Sequence, residues 1–164
     1  MVVYADAAGE GAWEGMGFWF VVGDVCFFYC DQWLAAEQHI KIHAREAYIA
    51  TAASMTAHVV CPERRFCLEY TDNTPTECVH EKQSARCPLL QTIIEARSLF
   101  FDASGVCALP QRVSSKHNLW ADWLSRGEWR RAVAAMLECG LRPQWIDVPS
   151  RASMLRSVLR AAGS

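Results

Sequence analysis

The spacing of hydrophobic and polar positions changes several times along the chain, and each change marks an element. Residues 2 to 8, VVYADAA, alternate so that Val2, Tyr4 and Asp6 share one face, which predicts a strand that ends in a carboxylate. GFWFVV and VCFFYC read as two more strands, and between them Gly23-Asp24 forms a two-residue hairpin turn whose first position tolerates positive φ. Three consecutive antiparallel strands therefore open the chain. After Trp33 a short polar connection leads into IKIHAREAYIATAASMTA, where Glu46, Ile49, Ala50 and Ala53 follow the i, i+3, i+4, i+7 spacing of one helical face. A glutamate thus heads an otherwise apolar stripe.

RFCLEYTDN predicts the next strand, with Phe66, Leu68 and Tyr70 alternating against Cys67, Glu69 and Thr71, and with Asp72 at its C-terminal end. TPTECVHEKQ predicts a short helix capped by Thr74 with Pro75 as its first helical residue, and CPLLQTIIEARSLFFDASG a longer one stopped by Gly105. VCALPQRVSS supplies a fifth strand, and Asn118 is placed as N-cap of a helix carrying Asp122. Beyond it, EWRRAVAAMLECG is an amphipathic helix ended by Gly140, PQWIDVP is extended, and residues 151–162 form a basic terminal helix. The order is βββαβααβα followed by a tail that Pro143 and Pro149 set apart, which divides the chain into a domain at 1–127 and a helical C-terminal extension at 128–164. Trp129 and Trp145 are expected to dock that tail, since most tryptophans are core residues.

Composition narrows the function. At 164 residues, 52% hydrophobic and with seven tryptophans, the chain can bury a sizeable core. A net charge of −2 provides no overall basic footprint, so contact with nucleic acid must come from a local patch, a metal or a neighbouring domain. No apolar run reaches the roughly 18 residues of a membrane span, and no basic segment with a following hydrophobic stretch opens the chain, so an intracellular placement is expected, cytoplasm and nucleus being indistinguishable. The eight cysteines contain no C-x-x-C pair and are expected as reduced thiols packed as small hydrophobes.

The chemistry lies in four carboxylates on four elements: Asp6, Glu46, Asp72 and Asp122. Asp122 stands among the tryptophans of KHNLWADWLSRGEW, and each of the other three also has mostly apolar or small neighbours. A carboxylate taken out of water must be paired, neutralised or bound to a cation. Any one of the four has an ordinary reading as a helix cap or dipole partner; the set is what informs. Gathered at one point they would repel one another, and two Mg2+ ions, which prefer hard oxygen ligands, would resolve the repulsion, with Mn2+ an alternative. Such a pair of ions serves in-line displacement at phosphorus, which points to phosphodiester hydrolysis.

NLWADWLSR resembles the Asn-x-x-Ala-Asp-x-Leu-Ser-Arg signature of ribonuclease H domains in reverse-transcribing retroelements, of the long-terminal-repeat or DIRS-like type. YADAAGEGAWEG is similar to that family's first-strand aspartate with its small residues and glycines, IHAREAYIA to its helix-borne glutamate, and YTDN to its fourth-strand aspartate, in order over residues 2 to 126. The resemblance implies an α/β fold, a ribonuclease H-like mixed five-stranded sheet of three antiparallel strands followed by parallel additions, flanked by helices. It implies a metal-dependent endonuclease that cuts the RNA strand of RNA–DNA hybrids, with Asp6, Glu46, Asp72 and Asp122 as ligands of two Mg2+ ions, as part of a retroelement polyprotein. Asn73, Lys116, Asn118 and Arg126 are expected at the substrate, together with backbone of the Gly9–Gly17 region.

The chain departs from free-standing members in two places. HEKQSARCP is too short for their basic helical protrusion, so affinity for the hybrid falls to an attached or associated reverse transcriptase domain, or to a modest patch of Lys82, Arg86, Arg112 and Lys116. His117, five residues before Asp122, is read as a polar residue ahead of the cap, without a role in product release. The alternative function, from another class, is a catalytically idle ribonuclease H-fold module that scaffolds or connects domains. Retention of all four acidic positions argues against it, because a non-catalytic core gains by replacing buried carboxylates that repel.

Overall fold

The structure is a computed structural model that describes residues 1–163; Ser164, the last residue of the expected extension, lies outside the described residues. Strands β1 (Val2–Ala7), β2 (Gly15–Val22) and β3 (Val25–Gln32) are followed by helix α1 (Ile42–Val60), β4 (Phe66–Thr71), α2 (Thr74–Lys82), α3 (Pro88–Ser104) and β5 (Cys107–Arg112). Helices α4 (Leu119–Ser125) and α5 (Trp129–Glu138), strand β6 (Arg142–Trp145) and helix α6 (Ser150–Ala161) complete the chain. The sheet runs β5-β4-β1-β2-β3-β6. The first three strands pair antiparallel, while β4 joins β1, β5 joins β4 and β6 joins β3 in parallel. This is the mixed sheet that the resemblance implies, with six strands where five were expected.

The sixth strand corrects the reading of the tail. The extension is not wholly helical: Arg142–Trp145 add an edge strand beside Val25–Phe28, and Arg142 clasps Asp24 in the β2–β3 turn with two hydrogen bonds. Ala152, Leu155 and Leu159 of α6 are buried in the same core as α1, each leucine contributing about 1.5–3 kcal/mol. A buried polar latch adds to this. Glu37 is fully buried and accepts hydrogen bonds from Arg156, Arg160 and the Leu34 amide, while Arg156 also donates to Asp31. Burial alone would push the Glu37 carboxyl up, but these donors outweigh it and hold it below the ordinary carboxylate range. Trp129 and Trp145, expected to dock the tail, are instead 44% and 50% exposed, and Ala132 and Met136 of α5 with Ala152, Leu155 and Leu159 of α6 are the residues buried.

Helix α1 is the centre of the fold. Every residue from Ala44 to Ala57 is buried, because the helix lies on β1 and β2 with α2, α3 and α6 against its other sides. Alanine-rich sequence allows neighbours to approach from all directions, so burial here is not confined to the stripe that periodicity marks. On the opposite face of the sheet α4 and α5 cover Cys26 and Phe28. Gly17 decides how closely: a Cβ there would overlap Leu124, so only glycine lets α4 lie directly on β2. Gly23 at φ +62° forms the hairpin turn and Gly105 at φ +63° ends α3, both as the sequence implies. No helix of the described residues is long and apolar enough to cross a membrane.

Candidate active site

Strand β1 is central, and Asp6 sits near its C-terminal end opposite Gly17 of β2. Asp72 follows the last residue of β4, which runs parallel to β1 and so delivers its C-terminus to the same edge of the sheet. Helix α1 packs on β1 with Glu46 in its second turn. Each of these three residues offers a carboxylate oxygen, and the three atoms lie within 4.8 Å of one another. Ligand atoms at about 2.1 Å from an octahedral Mg2+ are about 3.0 Å apart when adjacent and about 4.2 Å when opposite, so a trio within 4.8 Å needs only a modest contraction to share one ion.

The electrostatics match that geometry. Burial pushes the Glu46 carboxyl well above its ordinary range, and the charges of Asp6 and Asp72 push it further, against one opposing hydrogen bond from the Ala7 amide. Asp6 is raised to about 7, first by burial and then by Asp72 and Asp122, with the Ser125 hydroxyl and Arg126 pulling the other way. Glu46 Oε2 is buried without a hydrogen-bond partner. The adjacent guanidinium does not neutralise it, because Arg45 turns away to Glu14 and to the Ile40 and Glu37 carbonyls. Two buried carboxylates and the half-buried Asp72, with an orphaned Glu46 oxygen among them, fit a divalent cation that prefers hard ligands.

Asp122 stands at the margin. It faces Asp6 closely enough to raise its pKa, but its carboxylate lies outside the trio, and Oδ1 accepts a 2.8 Å hydrogen bond from Arg126 Nε. The structure thus gathers three of the four expected ligands and holds the fourth beside them on an i, i+4 ion pair.

The expected substrate contacts divide. Lys116 and Arg126 are exposed, as are Lys82, Arg86 and Arg112, the last directly opposite Thr71 and so one residue from Asp72. Asn73 is half-buried and occupied: it, rather than Thr74, is the N-cap of α2, its Oδ1 accepting from both the amide and the hydroxyl of Thr76. Asn118 occupies the expected N-cap position of α4, its carbonyl accepting the Asp122 amide, but burial closes it to substrate. It is 1% exposed, makes no side-chain cap, and donates from Nδ2 to the Ala5 carbonyl at 3.1 Å. Gly15 and Gly17 lie under α4 and are closed to ligand, whereas residues 9–13 are exposed. His117 ends a 3-10 turn with its Nδ1 2.7 Å from the Ser114 hydroxyl.

Two residues, present in the quoted sequence patterns, had been given no role there. Ser125 is fully buried with its hydroxyl 2.6 Å from Asp6 Oδ2. Glu69, on the buried side of β4, is clasped by Arg97 of α3, His80 of α2 and Ser54 of α1. Its position between Cys67 and Thr71 in the strand alternation was the available signal. Burial pushes Glu69 up, yet Arg97 and His80 prevail and hold it at about 2. The network ties the strand that ends in Asp72 to three helices. Of the cysteines, Cys26, Cys61 and Cys67 are buried, but Cys87, Cys107 and Cys139 are exposed rather than packed.

No family model matches the chain, and no curated protein matches it. Among solved structures it is similar to the N-terminal ribonuclease H domain of a Mycobacterium tuberculosis protein, determined as a fusion with maltose-binding protein. The identity is 16%, the TM-score 0.49, and the match covers 82% of this chain and 96% of that one. The acidic trio is carried by three antiparallel strands extended in parallel and flanked by helices, the mixed sheet expected from the sequence.

Proposed function

We propose that this chain is a metal-dependent endonuclease that hydrolyses the RNA strand of RNA–DNA hybrids, and that it works within a retroelement polyprotein beside a reverse transcriptase domain. The observation that carries the reading is the convergence of Asp6, Glu46 and Asp72 within 4.8 Å, all from distant parts of the chain, with Glu46 Oε2 lacking any protein partner. Desolvated carboxylates that repel are a net cost to folding, and the cost has a purpose when a cation is bound.

Asp6, Glu46 and Asp72 would hold one Mg2+, and Asp122 would contribute to a second beside them. When bound, such ions would supply a nucleophilic water of lowered pKa and charge stabilisation for an in-line displacement at phosphorus. The chain itself supplies orientation. The parallel pairing of β1 and β4 aligns Asp6 with Asp72, and α1 fixes Glu46 from behind. Asp122 is 34% exposed, and its i, i+4 pair with Arg126, worth about 0.3–0.5 kcal/mol, yields readily to a divalent ion. Arg112, opposite Thr71, and Arg126, beside Asp122, are exposed cations near the acidic cluster and suit phosphates of the hybrid, with Lys116 exposed further along near Tyr4 and Trp19. With a net charge of −2 the chain lacks long-range attraction for nucleic acid, which fits dependence on an attached domain.

The test is cleavage of a labelled RNA–DNA hybrid in Mg2+, with duplex RNA, duplex DNA and single strands as controls. Hybrid-selective, chelator-sensitive cleavage lost in Asp72→Asn is expected. The ion pair of Asp122 with Arg126 is the one feature favouring an idle module, and that reading prevails if Mg2+ neither supports cleavage nor shifts the melting temperature.

A further inference from the structure

The segment from Asn118 to Arg126 does more than carry Asp122. Asn118 Nδ2 donates to the carbonyl of Ala5, the residue before Asp6, at 3.1 Å. Ala121 and Leu124 are fully buried, and Leu124 lies over Gly17, the residue paired with Asp6 across the sheet. Ser125 Oγ is 2.6 Å from Asp6 Oδ2 and 2.8 Å from the Asp122 carbonyl oxygen. Arg126 Nε donates to Asp122 Oδ1. Asn118 and Ser125 thus touch β1 around Asp6, Leu124 covers the β2 residue paired with it, and Arg126 touches Asp122 itself.

Ser125 has one hydroxyl hydrogen and two acceptors within reach. The Asp122 carbonyl already accepts the Arg126 amide at 3.1 Å, as helix geometry requires. An ionised carboxylate is the stronger acceptor, since charge-assisted hydrogen bonds are roughly twice as strong as neutral ones. When Asp6 is ionised, as a metal ligand must be, the hydroxyl belongs to its Oδ2 and the other oxygen is left for the cation.

We infer that Ser125 is a positioning residue of the nuclease centre, orienting the Asp6 carboxylate for the divalent ion, while Asn118 fixes the strand one residue earlier. The inference rests on the divalent-ion reading of the acidic trio. It explains why the motif places a hydroxyl three residues after its aspartate: one helical turn brings Ser125 back over the neighbouring strand. Ser125 touches no substrate, being fully buried. Asn118 Oδ1 is buried without a partner, so its amide serves β1 through Nδ2 alone.

The test is Mn2+ binding to the full chain, followed by electron paramagnetic resonance and calorimetry, together with metal-free melting. Ser125→Ala is expected to weaken Mn2+ binding about 10- to 100-fold, the usual effect of removing a partner of a ligating carboxylate. Ser125→Cys fills the site with a somewhat larger side chain that offers only a weak donor, and it is expected to weaken binding about tenfold, which guards against a cavity-driven folding defect in the alanine variant. A merely structural serine would lower the melting temperature and leave Mn2+ affinity of the folded protein unchanged. Wild-type affinity in both variants overturns the positioning role alone, with the trio still binding Mn2+. Absence of Mn2+ binding in the wild type, with no difference in Asp6→Asn, overturns the centre and this inference together.

Discussion

Replacing Asp6 by asparagine should make the metal-free protein more stable, although it removes a residue on which the proposed activity depends. Asp6 is raised from 3.8 to about 7, largely because burial and the neighbouring carboxylates disfavour its charge. A raised native pKa means that the folded state holds a proton the unfolded state has released. Stability therefore falls as pH climbs through the window from about 4 to about 7, and the full penalty applies above it. Three units at 1.36 kcal/mol each set a ceiling of about 4 kcal/mol, and sharing of the proton with Glu46 lowers it to roughly 2–4 kcal/mol. Asparagine is close in shape, carries no charge and can still meet the Ser125 hydroxyl. At about 2–4 °C per kcal/mol for a domain of this size, the variant should melt about 5–15 °C above wild type in chelator at about pH 8. The two should converge near pH 4. Excess Mg2+ should raise the wild type by linkage and leave Asp6→Asn almost unmoved. Calorimetric melts with and without Mg2+ decide the matter: a variant no more stable than wild type in chelator, or one that gains as much from Mg2+, refutes the reasoning.

Other consequences are testable in the same way. Asp72→Asn should reduce Mg2+-dependent hybrid cleavage by at least about 10²-fold, several kcal/mol of transition-state stabilisation, while far-ultraviolet circular dichroism stays native. Arg97→Ala strands Glu69 beside His80 in the core and should cost about 3–5 kcal/mol in urea unfolding. Because Glu69 is held near 2, its stabilising contribution is complete above its ordinary value of 4.5 and disappears as pH falls toward 2; Glu69→Gln should flatten that acid limb of the stability curve. Gly17→Ala forces Leu124 away from β2 and should cost about 1–3 kcal/mol, with weakened Mn2+ binding because α4 carries Ser125 to Asp6.

Local patterns made much of this fold legible. Alternation marked the strands, Gly23 and Gly105 marked a turn and a helix end, and apolar spacing placed Glu46 on α1. What escaped depends on pairing over distance. Strand β6 is four residues long and contains Pro143, tolerated because it lies on the edge of the sheet, and nothing local shows that it will lie beside β3. Asn73 and Thr74 are both cap formers, and only the bonds to Thr76 decide between them. Arg97 lies 28 residues from Glu69, so no window of sequence joins them. At the site, Asp6, Glu46 and Asp72 sit where topology alone brings them together, whereas Asp122 turned to its own helical neighbour. Asn118 was legible as the N-cap of α4 from its residue type, but the donation of its Nδ2 to the carbonyl of Ala5, 113 residues away, was not.

The central claim is that Asp6, Glu46 and Asp72 converge in order to hold a divalent cation. A crystal soaked in Mn2+ and measured for anomalous scattering tests it most directly. A peak among these three carboxylates at metal–oxygen bonding distance, lost in Asp6→Asn, is the predicted result. Saturating Mn2+ with no peak there, or with peaks only at exposed acidic residues elsewhere, would contradict it.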